Sequence, residues 1–565
     1  ALMTEVEDKN KEGYTPSGIK DAKKIKNYAS IWGYLPGGGL RRECDAWWQK
    51  NAVETVHKSQ VPRNKRIHYS FAVYKWKKHN AVGRQAKVRV VGGGNNHGQP
   101  KEACHSAAVK NSSLLLMMSM LIWFGIECIF STDMDTAYMQ IKLKDGNEKY
   151  LLPPEHFTDK EGNFIPHGNI LKTKVAVYGF FDSAKLLYEA LSGVLLQNGF
   201  KKNRHEHGLF TKLVGDQWIV CLLYVDDNIV ACSKISDAEY VLKLFNKAGY
   251  TLSGKFFPSR HLGYRIRYYR TKSDRLAMAL DCNEYAQILV DQNKHRLKTT
   301  RKKYTLPSDT SISDLNFEIA HKDLEQDFSE KEIKTARGFV GAALYLCGKD
   351  RPTLSSTVNL LARFQTKPTE QWNEVAGHSI GWLRQDLERD PCILFCPREK
   401  GDPLMPFICG LTDAGWKHTF NGRALIGHLI FVGYGEKWSL VSWLCALTKT
   451  ANLSSTDSET YGMSAVTCAI LGILNILMNE GLSLLTFIGE DNKACLLNTI
   501  TGKVLGYLGY RENHTHDVLR AGYIQKVLKI NGFANLSDLQ SKRTKKAKDF
   551  KWMNSEITIS RDAKF

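Results

Sequence analysis

The chain has 565 residues, more than one hydrophobic core usually organises, so three or four subdomains are expected. Its 78 basic and 58 acidic residues give a formal net charge of +20, which favours nucleic acid as a partner before an anionic membrane, unless the surface is basic only for solubility. The 13 cysteines lack paired spacing, which argues against a disulfide-stapled secreted fold and against a zinc site, and favours a reducing compartment. The polar N-terminus predicts neither a signal peptide nor a transit peptide.

The first part of the chain contains a candidate strand pair and a candidate strand that ends in an acid. Residues 1–58 are charged and helix-like in patches, and no function can be inferred from them. Residues 69–91 alternate in polarity and predict two strands joined by a turn near Asn80, whose basic face would suit a triphosphate or face solvent. The apolar run at 114–130 is broken by polar residues, so it predicts a buried helix that leads into a strand ending at Asp133.

Two adjacent acids, Asp226 and Asp227, interrupt an apolar run at residues 219–230. Burying adjacent like charges is costly unless a cation or strong donors compensate. A hairpin that presents both carboxylates to Mg²⁺ explains the pattern, because Mg²⁺ prefers oxygen ligands; an acidic turn between two strands is the alternative. Phosphoryl transfer with two metals needs carboxylates from separate strands, and Asp133 supplies the third.

The segments that follow are less specific. Residues 171–200 predict a turn and then a helix with apolar residues at helical spacing, and residues 336–346 predict a helix with small residues at packing positions. Residues 261–266 contain Gly263, which permits a close backbone approach, although a generic turn explains it nearly as well. Basic clusters at 294–303 are expected mostly to face solvent, with some contacting nucleic acid.

A second set of acids begins beyond residue 403. Asp413 ends an apolar strand, Glu459 falls in the early turns of a Ser- or Thr-capped helix, and Asp491 follows another strand. Asp538, late in the chain, is the candidate for a fourth acid, and Asp517 is the alternative for the same role. A two-metal nuclease needs such a set, although any one of these acids could be a cap or a turn. The remaining acids near these positions are expected to be surface or capping groups: Asp135, Asp457 and Glu490.

These motifs resemble, in order and spacing, the polymerase of copia-type LTR retrotransposons, and the later acids resemble a retroelement RNase H domain. The stretches that carry the resemblance are Asp133 with Ala137-Tyr138, Leu151-Leu152-Pro153-Pro154-Glu155-His156-Phe157, Val177-Tyr178-Gly179 and Tyr224-Val225-Asp226-Asp227. The resemblance implies an α+β fold, with a right-hand polymerase (fingers, palm, thumb and connection) followed by an α/β RNase H-like domain. The implied segments are a lead segment (1–58), fingers and palm (59–255), thumb and connection (256–402), an RNase H domain (403–541) and a basic tail (542–565).

The resemblance also implies residue roles. The catalytic, metal-binding acids would be Asp133, Asp226 and Asp227 in the polymerase and Asp413, Glu459, Asp491 and Asp538 in the nuclease. Nucleotide binding would involve Lys87, Arg89, Tyr138 and Tyr224, with the ring of Tyr138 under the sugar as a steric reason to prefer deoxynucleotides. Template and primer would contact Gly179, Asp182, Leu262, Gly263 and Tyr264. Where the family has Lys-Gln, this chain has Phe181 and Asp182, and an acid there would repel a phosphate backbone.

The implied function is an RNA-directed DNA polymerase with RNase H activity, using two Mg²⁺ or Mn²⁺ ions per active site. A degenerate or domesticated copy that binds nucleic acid or serves as a structural protein is the alternative, whereas Tyr138 and the nuclease disfavour an RNA-dependent RNA polymerase. The expected partners are an RNA template, a DNA or tRNA primer, the RNA–DNA hybrid, deoxynucleoside triphosphates and other polyprotein products, with no membrane. The chain would act as a monomer or homodimer, in a cytoplasmic virus-like particle or in the nucleus.

Overall fold

The computed structural model is an α+β protein and describes most of the chain. The described residues are 15–25, 27–79, 83–94, 109–297, 317–318, 320–321, 325–403, 405–416, 419, 421–502 and 509–541. The predicted turn near Asn80, part of the basic cluster at 294–303 and the basic tail from residue 542 lie outside them.

The helices and strands are numbered in chain order. The helices are α1 (Ile19–Ala22), α2 (Tyr28–Ile31), α3 (Gly39–Gln49), α4 (Asn111–Trp123), α5 (Phe181–Gln197), α6 (Ile235–Lys247), α7 (Asn283–Gln292), α8 (Glu330–Lys349), α9 (Ser355–Arg363), α10 (Glu370–Leu387), α11 (Ser455–Asn479), α12 (Lys493–Thr501), α13 (Gly509–Arg520) and α14 (Asp538–Ser541). The strands are β1 (Val53–His57), β2 (Ile67–His68), β3 (Ser70–His79), β4 (Gly83–Gly92), β5 (Cys128–Met134), β6 (Tyr150–Leu151), β7 (Asn169–Thr173), β8 (Lys201–Lys202), β9 (Leu209–Val214), β10 (Gln217–Leu222), β11 (Asp227–Cys232), β12 (Leu252–Phe256), β13 (Arg260–His261), β14 (Tyr264–Arg270), β15 (Leu276–Asp281), β16 (Ile393–Phe395), β17 (Phe407–Gly415), β18 (Leu425–Tyr434), β19 (Lys437–Leu447), β20 (Leu485–Glu490) and β21 (Lys526–Lys529).

The fingers combine a two-stranded ribbon with a four-stranded sheet. The ribbon pairs β3 with β4 in antiparallel register, which confirms the two strands predicted from residues 69–91. Helix α3 packs beneath it, where Trp47 is buried with Val88 and Val90 and Glu43 accepts a hydrogen bond from the Val90 amide at 3.0 Å. The sheet has the order β1-β7-β6-β2. Residues 39–57 therefore share one core with the ribbon.

The palm is a six-stranded antiparallel sheet in the order β12-β5-β11-β10-β9-β8. Helices α5 and α6 cover one face and α4 covers the other, which confirms the buried helix predicted at 114–130. Because both faces are buried, the strands are apolar throughout rather than alternating. Residues of one parity, such as Ile129 and Ala231, pack with α4, while Phe130 and Val230 pack with α5 and α6. The continuous apolar run at 219–230 follows from this.

A third unit lies between the palm and the C-terminal sheet. Its sheet has the order β13-β14-β15-β16, and helices α7 to α10 pack beside it in a core continuous with α4. The guanidinium of Arg351, which is fully buried, forms ion pairs with Asp350 and Asp386, so its charge is compensated inside the core.

The C-terminal unit is a five-stranded sheet in the order β19-β18-β17-β20-β21. The first three strands are antiparallel, and β17, β20 and β21 run parallel. The long helix α11 begins at Ser454, whose side chain accepts a hydrogen bond from the Asp457 amide at 3.1 Å, as the capping prediction requires. By length and apolarity α11 could cross a membrane, but half of its apolar stretch is buried against β17 and β18. Gly410 allows this approach, since a Cβ there would lie 2.8 Å from Val466.

The palm and the C-terminal unit are joined by direct hydrogen bonds. Glu480, just after α11, accepts hydrogen bonds from Asn203 Nδ2 at 2.7 Å and Thr211 Oγ1 at 2.6 Å in the palm. Trp443 on β19 donates to the carbonyl of Cys347 in α8 at 2.6 Å, which joins the C-terminal unit to the third unit as well. These contacts tie the C-terminal unit to both of its neighbours.

Candidate functional site

The palm brings two of its predicted acids side by side. Asp133 near the end of β5 is the direct register partner of Asp227 at the start of β11. Directly opposed residues on antiparallel strands point to the same face, with Cβ atoms about 5 Å apart. Asp133 is exposed and Asp227 half-exposed, so both carboxylates are open to solvent and to a substrate.

The turn between β10 and β11 carries Asp226. The Asp227 amide donates to the Tyr224 carbonyl at 2.9 Å, and Val225 adopts a left-handed conformation with φ of 56°. For a β-branched residue this costs about 1–2 kcal/mol. Buried Asn228 stabilises the turn by accepting from the Tyr224 amide at 3.1 Å and donating to the Thr132 hydroxyl at 3.3 Å. A strained turn anchored to the neighbouring strand holds Asp226 beside the Asp133 and Asp227 pair.

These three acids suit a divalent cation. They offer carboxylate oxygens from two strands and a turn, at the partly open end of the sheet, which is the donor set that Mg²⁺ and Mn²⁺ take. They do not form as tight a cluster as the C-terminal acids described below, among the residues that the structure describes.

An aromatic and cationic series connects the fingers to these acids. The guanidinium of Arg89 lies 4.5 Å from the centre of the Tyr178 ring, and Tyr178 meets Tyr138 edge to face at 4.8 Å. Burial raises the pKa of Tyr178 to about 12 and also raises the pKa of Tyr138, to which the charge of Asp226 adds. The structure thus places Arg89 and Tyr138 on a path from the ribbon to Asp226.

The other two predicted nucleotide-binding residues lie at either end of this path. Lys87 is exposed on the ribbon, directly opposite Lys75. Partial desolvation by its neighbours, together with the charges of Arg89 and Lys77, lowers its pKa. An anion would relieve this repulsion. Tyr224 is half-buried in the acidic turn.

The predicted primer-contacting residues form the turn between β13 and β14. Leu262 and Gly263 both have positive φ, 46° and 86°, as a tight two-residue hairpin requires. Tyr264, however, is buried, and its hydroxyl donates to the Lys349 carbonyl at 2.6 Å. The side chain of Tyr264 therefore anchors the turn to α8, and a contact of Tyr264 with template or primer stays a prediction for its backbone.

Three of the four predicted nuclease acids converge. Asp413, Glu459 and Asp491 place ligand oxygens within 4.8 Å of one another, and the first two are buried. Asp413 comes from β17, Glu459 from the second turn of α11 and Asp491 from the end of β20. The hydroxyl of Ser541 donates to Asp413 Oδ2. Three buried or half-buried carboxylates this close are costly without a cation, so the set fits a divalent metal.

The two candidates for the fourth acid, Asp538 and Asp517, lie apart from these three carboxylates. Asp538 is buried in α14 but lies outside the three-carboxylate cluster, and Asp517 is exposed on α13. Neither joins the cluster in the described part of the chain.

Of the acids assigned to surface or capping roles, Asp135 is exposed as expected and Asp457 caps α11 by accepting from the Leu453 amide at 2.9 Å. Glu490 differs, because it is fully buried at the end of β20. Burial and the nearby charges of Asp491 and Asp413 raise its pKa well above the ordinary range. Glu490 is therefore a core residue beside the acidic cluster, not a surface or capping group.

The sequence itself matches proteins of known family. A family model described as reverse transcriptase (RNA-dependent DNA polymerase) matches residues 53–275, which include Asp133, Asp226 and Asp227. The chain is 23% identical over 418 residues to the retrovirus-related Pol polyprotein from transposon RE1 of Arabidopsis thaliana, covering 72% of this chain and 26% of that protein. It is 22% identical over 364 residues to the transposon Ty1-JR2 Gag-Pol polyprotein of Saccharomyces cerevisiae, covering 62% of this chain and 19% of that protein. Over residues 53–275 the chain is similar to the reverse transcriptases of copia-type transposons.

The chain spans about a quarter of the length of the RE1 polyprotein. Among solved structures, the foamy viral protease-reverse transcriptase in complex with double-stranded DNA matches at a TM-score of 0.46 and 12% identity, covering 87% of this chain and 69% of that chain.

The region predicted to contact the template contains the unusual acid Asp182. Lys149 Nζ lies 2.8 Å from Asp182 Oδ2 and 5.5 Å from the centre of the Phe180 ring. Lys149 and Asp182 line a cavity of about 370 Å³ together with Lys65 and Arg66. The charge of Asp182, in the first turn of α5, is thus offset by a cation from the residue just before β6. Gly179, with φ of 96°, brings the preceding turn against the ribbon.

We expect K149A to weaken the binding of a primer–template duplex by roughly threefold to tenfold, because Asp182 would then face the phosphates without its cation. K149A/D182N should restore most of the affinity, measured by fluorescence anisotropy at constant salt. K174A is the matched control, since Lys174 pairs with Glu54 at 2.9 Å elsewhere in the fingers. If K174A loses as much affinity for the duplex as K149A, the effect is due to net charge alone.

One residue beside the palm acids is not singled out by the sequence. His261 begins the segment 261–266, and its ring lies 3.1 Å from a carboxylate oxygen of Asp227. The sequence feature that could have indicated His261 is its position directly before a two-residue turn, because a hydrogen-bond donor there can reach a metal-binding carboxylate.

Proposed function

We propose that the chain is an RNA-directed DNA polymerase that also hydrolyses the RNA strand of an RNA–DNA hybrid. The observation that carries the first activity is the register pairing of Asp133 with Asp227 beside the turn that presents Asp226. The second activity is supported by the convergence of Asp413, Glu459 and Asp491.

In the polymerase site, Asp133, Asp226 and Asp227 would hold two divalent ions, Mg²⁺ or Mn²⁺. When bound, such ions lower the pKa of a nucleophilic hydroxyl and neutralise charge on the leaving pyrophosphate. Lys87 and Arg89 would bind the triphosphate of the incoming deoxynucleotide. The reaction is attack of the primer 3′-hydroxyl on the α-phosphate, and the residues of the chain position both groups in line.

In the nuclease site, Asp413, Glu459 and Asp491 would hold the ions that assist hydrolysis of the RNA strand. Asp538 is the proposed fourth acid, with Asp517 as the alternative. Glu480 and its palm partners Asn203 and Thr211 would keep the two sites at a constant separation along one hybrid.

The test is extension of oligo(dT) on poly(rA) with Mg²⁺ and dTTP, together with cleavage of a labelled RNA in a hybrid. The purified chain should extend the primer and cut the RNA. Tight hybrid binding without either reaction would instead favour a non-catalytic nucleic-acid-binding protein, the function that Phe181 and Asp182 favour.

Tyr138 should select against ribonucleotides. In Y138V the space beneath the sugar would admit a 2′-hydroxyl, and we expect incorporation of UTP relative to dTTP to rise by about 100-fold. Steady-state kcat/KM for both nucleotides on the same primer–template measures this ratio. Y178F, which keeps the neighbouring ring, is the control and should leave the ratio within about threefold of the original value. An unchanged ratio in Y138V would remove Tyr138 from the sugar site.

We further propose that the partners are template RNA, a DNA or tRNA primer and other products of the same polyprotein. The working form would be a monomer or a homodimer. It would act in a cytoplasmic particle or in the nucleus. Sedimentation of the purified chain with and without a hybrid distinguishes the monomer from the dimer.

A further inference from the structure

The imidazole of His261 contacts the polymerase acids from the adjoining sheet. His261 Nδ1 lies 3.1 Å from Asp227 Oδ1, and only 1% of the His261 side chain is exposed. The opposite ring nitrogen, Nε2, is buried and has no hydrogen-bond partner among the residues that the structure describes. The hydrogen bond to Asp227 is thus the polar contact that the structure gives this ring.

The position of His261 is fixed by its surroundings. His261 is the register partner of Tyr264 across the two-residue turn. Tyr264 is in turn bonded to the Lys349 carbonyl, and Lys349 Nζ donates to the Leu262 carbonyl at 2.9 Å. Helix α8 therefore holds both the turn and the residue after it, and through them the ring of His261.

In the described part of the chain, His261 is the side-chain partner that the carboxylate of Asp227 has. The side chain of Asp227 is 46% exposed, so its carboxylate would sample several orientations if nothing held it. A metal-binding carboxylate needs one orientation, and hydrogen-bonding partners behind metal ligands typically contribute 10–100-fold in metal affinity or activity.

We propose that His261 is a positioning residue that orients Asp227 for the divalent ions of the polymerase site. Nδ1–H donates to Oδ1 and leaves the second oxygen of the carboxylate free for a cation. This proposal rests on the proposed polymerase function, and it assigns His261 a role towards the metal rather than towards the primer strand.

The experiment compares H261F, which keeps a ring but removes the donor, with H261N, whose amide nitrogen stands near the place of Nδ1. Both are made in a D491N background, so that the acidic cluster of the nuclease does not dominate metal binding. Mn²⁺ binding to the complex with primer–template and a non-hydrolysable deoxynucleotide is measured by electron paramagnetic resonance, and extension rates are measured as a function of Mg²⁺.

We expect H261F to weaken Mn²⁺ binding at the palm about tenfold and to raise the Mg²⁺ requirement for extension to a similar degree. H261N should stay within about threefold of the parent, and the affinity for primer–template should not change in either variant. H261L replaces H261F if the latter loses hybrid cleavage in a chain with Asp491 intact, which would indicate misfolding.

Equal loss in H261F and H261N would show that the ring acts only by packing, and unchanged Mn²⁺ binding in H261F would also overturn the proposal. If H261F loses affinity for primer–template but binds Mn²⁺ normally, His261 contributes to holding the primer and the proposal is wrong. A parent chain that binds Mn²⁺ at the palm but does not extend primers would contradict the polymerase proposal while leaving the assignment of His261 testable.

Discussion

Replacing Asp226 and Asp227 together by Asn should reduce DNA synthesis by roughly 10³-fold or more, while cleavage of the RNA strand stays within about twofold of the parent. The amides keep the size of the side chains but lose the charges that hold the ions, and Asp133 alone cannot bind two of them. Primer extension and hybrid cleavage are measured on the same preparation, so the retained activity reports that the fold is intact.

The control for this double variant is D135N. Asp135 is exposed two residues after Asp133, so its change alters the local charge without removing a proposed ligand. D135N should keep synthesis within about twofold of the parent. If the Asp226 and Asp227 variant loses both activities equally, the two centres are not independent and the account of separate sites is wrong.

Replacing Asp491 by Asn should produce the opposite pattern, with hybrid cleavage reduced roughly 10³-fold and synthesis nearly unchanged. Asp491 is one of three carboxylates whose oxygens lie within 4.8 Å, and the cluster loses a third of its negative charge. Cleavage of a labelled RNA in a preformed hybrid measures the effect independently of synthesis.

Variants of the two remaining acids complete this experiment. D517N should leave cleavage unchanged because Asp517 is exposed outside the cluster, whereas D538N should reduce it if Asp538 moves towards the ions when the hybrid binds. The reverse result would give the fourth position to Asp517. Full cleavage in D491N would contradict the nuclease assignment altogether.

The local features were predictable because they depend on neighbours in sequence. Alternating polarity predicts the ribbon strands β3 and β4, the apolar run interrupted by two acids at 219–230 predicts a hairpin, and a Ser or Thr cap predicts the start of α11. The acids at strand ends followed from the cost of burying charge without a partner. These patterns need only a few adjacent residues to be interpreted.

The features that escaped prediction all depend on contacts between distant segments. The pairing of Lys149 with Asp182 joins residues from different elements, and the hydrogen bond from His261 to Asp227 joins two sheets. Tyr264 and Glu490 are polar residues whose burial depends on helices packed over them, which no local pattern reports. Prediction therefore stopped where long-range packing, rather than periodicity, decides the environment of a side chain.

The measurement that tests the account most directly is the location of Mn²⁺ by anomalous diffraction in a complex with a hybrid and an incoming deoxynucleotide. We expect Mn²⁺ ions among Asp133, Asp226 and Asp227 and, separately, among Asp413, Glu459 and Asp491. Ions bound elsewhere, or no ion at either set of acids with both substrates in place, would contradict it.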